Sequence, residues 1–509
     1  MKTRLTRHIP TVAVILALSG LLGLAGPAQS QDLAAFEQNV TEFTLDNGLT
    51  FIVVENHDAP VLTVLTYADV GSVDEVKGIT GLAHVFEHMA FKGTTTIGAM
   101  DLEAEYAAME KVDEIFDDLR NERHKGHLAD SERLASLEQA FEDAKKAARE
   151  LARSNAMDEA IDRAGGTGLN ATTSRDATRY FYSLPSNKLE LFFALESSRF
   201  LDPVLREFFI ERDVVKEERR MSESSPVGRL VEEMLSTAYK AHPYGEPTLG
   251  HMSDLDSMTR AEAMDFFRRY YGADNLTIII SGDADPAHVK ELAHEYFDRL
   301  PAGPPIEPVE TIEPPQQAER RVIMEDKSQP VILMGYHKVD INHEDDVVFN
   351  VLSDILGSGR TSRLYTKLVK DQKIAVNASS FTDFPGSKYP NMMVFFAFPS
   401  KDHTAADTEQ AIEEEIERIR NEEVTEEELS RAKVRARVNL IRQLDSNMGL
   451  ALQMAYFHVL TGDWRNLFQS IDAINEVTAE DIKRVANQYL VPKNRTVASI
   501  VTLDDEGTE

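Results

Sequence analysis

The sequence predicts an α+β protein of two homologous lobes, each a mostly antiparallel sheet covered by helices. Three observations predict it. Short apolar strand-like runs are interleaved with long amphipathic helical stretches. Two sets of short segments recur in the same order in both halves. A stretch from Pro301 to Pro315 holds six prolines, divides the halves and reads as an extended linker.

The first 30 residues stand apart from the fold. Lys2, Arg4 and Arg7 form a basic start, Thr11 to Ala25 is mostly apolar, and Ala28-Gln29-Ser30 offers a cleavage site. This reads as a signal peptide over 1–30, and export to the periplasm of a Gram-negative bacterium is the expected location. The apolar run is short for a bilayer span, and no later segment is apolar enough to cross a membrane. The chain has no cysteine, which excludes a lipoprotein anchor and a disulfide. Removing 1–30 leaves 509 − 30 = 479 residues and a net charge of 51 − 86 = −35. So acidic a chain is a poor nucleic-acid binder.

The expected first lobe runs over 42–300, the linker over 301–318 and the second lobe over 319–503. Asn47-Gly48 is a hairpin turn between Phe43-Thr44-Leu45 and the run Leu49 to Val54. Strands are expected at Val61 to Tyr67, Leu276 to Ile280, Val331 to Tyr336 and Met392 to Phe398, with a long helix over Thr425 to Gln443. Ile52-Val53-Val54-Glu55 and Pro60 match Val322-Ile323-Met324-Glu325 and Pro330, an offset of 330 − 60 = 270. Thr259, Tyr270, Asn275 and Thr277 match Thr478, Tyr489, Asn494 and Thr496, an offset of 496 − 277 = 219. The first lobe therefore carries 270 − 219 = 51 extra residues. The candidate is a helical hairpin over about 102–154. Tyr106, Met109, Val112, Phe116 and Leu119 form one stripe, and Leu134, Leu137, Phe141, Ala144, Ala148 and Leu151 form another. His124-Lys125-Gly126-His127 is the turn between them. Partner docking, substrate gating and a solvated decoration are the roles open to it.

The chemistry concentrates in His84-Val85-Phe86-Glu87-His88. Two histidines four apart share a helix face and can hold a Zn²⁺, and a carboxylate between them can take a proton from water. This is the H-x-x-E-H order, the reverse of H-E-x-x-H. Thr80 is the expected cap, and Leu82, Phe86 and Met89 the buried face. A third ligand is expected from Ile210 to Glu218, where Glu211 and Glu218 lie two turns apart on one face. Glu218 could coordinate while Glu211 steadies a histidine. By periodicity alone Glu217, Glu211 and Glu223 serve nearly as well.

Three motifs together resemble the pitrilysin (inverzincin, M16) family of zinc peptidases, in its two-lobed branch with the mitochondrial processing peptidases and bacterial relatives. They are Gly81 to Thr94, Leu169 to Thr178 and Glu211 to Glu218, and the likeness spans roughly Phe43 to Val501. The resemblance implies one Zn²⁺ per chain on His84, His88 and Glu218, with Glu87 as the catalytic base and Glu211 behind the ligands. It implies that Asn170 and Ala171 lie on the edge strand to which a peptide or unfolded polypeptide adds. It thus implies a zinc endopeptidase; the alternative is a non-hydrolytic polypeptide-binding or scaffold subunit.

The second lobe lacks the metal motif. At the 270 offset His84, Glu87 and His88 become Asp354, Gly357 and Ser358, and the last two open the glycine-rich loop Gly357 to Ser362. Members of the family that act as single chains carry an Arg and a Tyr in a segment matching Leu368 to Val376; here Val369 and Val376 stand in their places. Neither can donate to a developing oxyanion. The expected partner is therefore an inactive homologous subunit that supplies the Arg and Tyr, with a homodimer as the alternative.

Overall fold

In a computed structural model of the chain, residues 36–503 are described. The expected signal peptide lies outside the described residues. Among these residues no helix is long and apolar enough to cross a membrane.

The first sheet holds β1 (Val40–Thr44), β2 (Thr50–Glu55), β3 (Val61–Ala68), β4 (Thr167–Thr173), β5 (Thr178–Pro185) and β6 (Leu276–Gly282), in the order β1-β2-β6-β3-β5-β4. The second holds β7 (Arg320–Asp326), β8 (Val331–His337), β9 (Ala375–Phe384), β10 (Met392–Pro399) and β11 (Arg495–Thr502), in the order β7-β11-β8-β10-β9. Without β1, the two orders are the same. Each sheet is antiparallel apart from one corresponding pair, β2 with β6 and β7 with β11.

The helices of the first half are α1 (Leu82–Met89), α2 (Leu102–Arg123), α3 (Ser131–Arg149), α4 (Ala156–Arg163), α5 (Leu189–Leu201), α6 (Phe208–Ser224), α7 (Pro226–Ala238), α8 (Met252–Ser257), α9 (Arg260–Tyr270) and α10 (Pro286–Phe297). Those of the second are α11 (Asp346–Gly357), α12 (Ala405–Asn421), α13 (Glu426–Leu444), α14 (Asn447–Thr461), α15 (Asn466–Glu476) and α16 (Ala479–Tyr489).

The residues that betray the repeat do the same work in both lobes. Thr259 and Thr478 close capping boxes with Glu262 and Asp481 at the starts of α9 and α16. Asn275 Nδ2 donates to Tyr270 O (2.8 Å) and Asp69 O (3.2 Å); Asn494 Nδ2 donates to Tyr489 O (2.9 Å) and His337 O (2.8 Å).

The lobes exchange a helix. Phe51, Val53, Val64, Ile278 and Ile280 face the first lobe's own helices, while Ile52, Val54, Leu65 and Ile279 pack on Leu450, Met454 and Trp464 at and beyond α14. In the second sheet Ile332, Met334 and Phe395 face α11, α12 and α16, while Val331, Leu333, Val394 and Ile500 pack on Leu230, Met234 and Leu235 of α7. Both faces of each sheet are thus covered, which is why the central strands read as unbroken apolar runs. The linker is pinned as well: Glu313 accepts the backbone N–H of Lys240, Ala241 and His242, and Gln316 donates to Arg495 O at 2.6 Å.

Helices α2 and α3 pair as an antiparallel hairpin. Arg123 meets Glu138 at 2.9 Å near the turn and Phe116 meets Phe141 at 5.3 Å farther in. Met109, Val112, Phe116, Leu119 and Phe141 are buried, whereas Tyr106 is exposed. His124 and His127 are exposed at the turn.

Candidate metal centre

The centre is built on α1. Its inner face, with Leu82, Val85, Phe86 and Met89, is buried, and Phe86 stacks on Phe267 at 5.1 Å and meets the tilted Tyr271 ring at 4.3 Å. The N-cap is Gly81, not Thr80. Its φ of +88° favours glycine, and a Cβ there would lie 2.6 Å from Leu249 O. The capping acceptor comes from farther back: Glu75 takes the N–H of Gly81 and of Ala83, each at 2.7 Å. Thr80 instead donates its hydroxyl to Asp254 at 2.7 Å.

His84 and His88 point their Nε2 atoms to one place, where Glu218 of α6 meets them. His84 Nε2 lies 3.6 Å from Glu218 Oε2, and His88 Nε2 lies 3.6 Å from Oε1. One ligand atom from each of the three side chains falls within 4.8 Å of the others. Two atoms each about 2.1 Å from a tetrahedral ion stand about 3.4 Å apart, so the set has the spacing a zinc site needs. Three ligands of this kind leave a fourth position for water or substrate.

The surrounding groups orient this set. Glu211, two turns before Glu218 on α6, places Oε2 3.3 Å from His88 Nδ1 and Oε1 2.6 Å from Lys92 Nζ. His88 can then donate through Nδ1 and keep Nε2 free for a metal. Burial opposes charge on Glu211, but His88 and Lys92 outweigh it and hold its carboxyl below the usual range. Burial likewise opposes charge on His88, yet Glu211, Glu218 and Glu87 together raise it. His84 has no carboxylate at its Nδ1: burial, then the neighbouring His88, pulls it down to about 4. Its Nδ1 is buried without a hydrogen-bond partner among the described residues.

Glu87 turns toward β4, where Thr173 donates its hydroxyl to Oε2 at 2.6 Å. Burial pushes the Glu87 carboxyl up, and the Thr173 hydrogen bond and His88 pull against it. β4 is the outer strand of its sheet, with Asn170 opposite Phe181 and Ala171 opposite Tyr180 on the inner side only. Asn170 is exposed and Ala171 is buried. All the sequence-predicted residues therefore gather around α1, α6 and β4. Thr173 and Lys92 lie inside two of the three motifs, but no spacing rule marks them as partners of Glu87 and Glu211. Glu75 carries no sequence signal, because a loop glutamate that caps a helix several residues on has no fixed spacing.

Arg363, a guanidinium close in sequence to Val369, is not free to replace the missing Arg: Glu428 holds it at 2.7 and 3.0 Å. Val369 packs against the second lobe's core, and Val376 is exposed on β9.

A duplicated α+β lobe with an H-x-x-E-H helix and a distant glutamate closing on it defines a two-lobed inverzincin. Residues 50–112 and 144–251 match the family profile described as Insulinase (Peptidase family M16), and residues 257–435 match that of the Peptidase M16 inactive domain. The chain belongs to peptidase family M16. It is 26% identical over 489 residues to the zinc protease PqqE of Helicobacter pylori, covering 94% of this chain and 96% of that one. It is 24% identical over 491 residues to a probable mitochondrial-processing peptidase subunit beta of Arabidopsis thaliana, covering 93% and 80%. A crystal structure of a protease from Helicobacter pylori superposes with a TM-score of 0.76 at 25% identity, covering 91% of this chain and 99% of that one. Residues 113–143, most of the helical hairpin, fall between the two matched stretches.

Proposed function

We propose that this chain is a zinc-dependent endopeptidase acting outside the cytoplasm on peptides or unfolded polypeptide segments. The observation that carries the reading is the convergence of His84, His88 and Glu218 beside Glu87 and the open edge of β4. His84, His88 and Glu218 would hold the ion. Zinc bound there supplies a Lewis acid that makes water a nucleophile near neutral pH. Glu87 takes the proton of the attacking water and passes it to the departing amine. Its raised carboxyl suits both halves of that exchange, and Thr173 fixes where it points. The substrate adds to β4 at Asn170 and Ala171 by main-chain hydrogen bonds, which favour extended chains over folded ones.

The chain would act as the catalytic subunit of a dimer. Val369 and Val376 cannot stabilise an oxyanion, and Arg363 is committed to Glu428, so an inactive homologue would bring the Arg and Tyr.

Zinc per chain in the purified protein, beside hydrolysis of an unfolded polypeptide by parent and Glu87→Gln, tests the reading. The expected result is about one zinc in both proteins and a loss of about 10²–10⁴-fold in rate in the variant. Zinc in both with equal or no hydrolysis, even after homologous subunits are added, would favour the scaffold reading.

A further inference from the structure

Most of the inserted hairpin, residues 113–143, lies outside both family profiles, and it packs on the helix that carries the third metal ligand. α6 carries Glu211 and Glu218 on one face. At 100° per residue, Phe209 and Arg212 lie well round toward the opposite face. That back face is where the insertion packs. Phe116 of α2 and Phe141 of α3 contact Phe209 with ring centroids 4.6 and 5.1 Å away. The Arg212 guanidinium stands over Phe116 at 4.7 Å and over Phe209 at 5.0 Å, and donates to Met258 O at 3.2 Å. Lys145 of α3 reaches Asp213 at 3.1 Å, the residue between Arg212 and Val214 on α6.

A second set of contacts fixes the start of α6. Leu205 and Glu207 both sit at positive φ, +53° and +60°, so the chain enters the helix in a conformation that it does not choose alone. Arg206, between them, is 1% exposed and pairs with the equally buried Glu105 of α2 at 2.6 Å. It also donates to the carbonyls of Lys92 and Ile97 at 2.8 and 2.7 Å. Glu207 forms an ion pair with Arg149 at the end of α3 (3.1 Å) and accepts from Ser154 (2.8 Å). Lys92, whose carbonyl Arg206 grips, is the residue whose ammonium holds Glu211.

From these contacts we infer that the α2–α3 hairpin is a brace for the metal centre: it sets the position of α6 and thereby of Glu218 and Glu211. Phe116, Phe141 and Arg206 are positioning residues in this scheme, none of them touching the ion site. The second lobe offers the contrast within one molecule. The helix cap that follows α6 is Ser225 and that following α13 is Ser446, each accepting from a glycine N–H three residues on. The offset there is 446 − 225 = 221, which aligns Phe209 with Ser430 and Glu218 with Asn439. Among the described residues α13 has no inserted hairpin behind it and no aromatic clamp, an asparagine stands at the place of the metal ligand, and Val434, Val438 and Ile441 are exposed.

The inference rests on the metal-centre reading, and zinc affinity separates the two. Zinc dissociation constants would be measured by chelator competition for the full chain, Phe116→Ala, Phe141→Ala and the conservative Phe116→Leu, with thermal unfolding of each metal-free protein. Phe116→Ala and Phe141→Ala are expected to bind zinc about 10-fold or more weakly at temperatures where both are folded, with Phe116→Leu closer to the parent. Lys145→Ala, which removes no aromatic ring from the core, perturbs the fold less and is expected to weaken zinc in the same direction by a smaller factor. Folded variants that keep the parent's affinity while losing thermal stability would overturn the brace and leave the site intact. A parent that binds no zinc removes both readings.

Discussion

The same pair of helices is bridged in two different ways in the two lobes. In the first, α1 and α6 converge on His84, His88 and Glu218. In the second, the corresponding α11 and α13 are joined by an ion pair, with Arg435 Nη2 2.6 Å from Asp354 Oδ1. Asp354 stands where His84 stands at the 270 offset, and Arg435 lies one turn before Asn439, the counterpart of Glu218. A duplicated scaffold needs its helices tied together at this point. An acid and a guanidinium do that alone, whereas two imidazoles and a carboxylate leave a place for a cation. The difference between the lobes is therefore a difference in what completes the joint, with the surrounding sheet order unchanged.

The sharpest way to break that comparison is to truncate Glu218 and its positional counterpart in the second lobe, Asn439. Glu218→Ala is expected to weaken zinc by more than about 100-fold, beyond what loss of an outer hydrogen-bond partner costs. Asn439→Ala is expected to leave zinc affinity unchanged. Isothermal titration of the metal-free proteins decides it, and an equal loss in both would mean that zinc does not sit in the first lobe alone.

The helix exchange makes the opposite claim, that the lobes are equivalent in stability although not in chemistry. Met234 of α7 and Met454 of α14 are both fully buried, each on the other lobe's sheet. Truncating either to alanine is expected to cost about 2–5 kcal/mol. Because each helix belongs to one half of the chain and one face of the other half's sheet, both variants should still unfold in a single transition by calorimetry. Two separated transitions in either variant would show that the lobes are independent folding units.

Much of this organisation was legible in the sequence, and the reason is the kind of signal involved. The α+β class, the duplicated lobes and the hairpin follow from period and repeat, which short-range sequence carries directly. His84, Glu87 and His88 follow from a fixed helical spacing. Glu218 was one of several glutamates on an acidic helix until the family motif selected it, since 218 − 88 = 130 residues separate it from His88. What stayed hidden depends on tertiary approach. Nothing in the strands announces that α7 covers the second sheet and α14 the first. Thr80 has the chemistry of a cap and the right position, but Asp254 takes its hydroxyl and the left-handed turn at Gly81 hands the capping to Glu75.

That substitution of caps yields the smallest and most local difference between the lobes. Glu75 corresponds to Asp345 at the 270 offset, and both carboxylates are buried at the start of the equivalent helices α1 and α11. Asp345 is met by Arg484 at 2.6 Å and by the Tyr489 hydroxyl at 3.2 Å. Glu75 accepts two backbone N–H groups instead, and burial, only partly offset by those bonds, pushes its carboxyl up to about 8. A carboxyl raised in the folded state binds its proton more tightly there than in the unfolded chain. Between its ordinary value and about 8 the folded state then holds the more protons, and this group's contribution to stability falls as pH rises. Glu75→Gln removes that slope. It keeps one acceptor for two N–H groups, so it is expected to be less stable than the parent by about 1 kcal/mol at pH 5. The gap should narrow or reverse by pH 8, read as the difference in Tm between the metal-free proteins. A gap of constant size across that range would mean that Glu75 is ionised throughout and that its two N–H bonds suffice to keep a buried charge on the first lobe's helix.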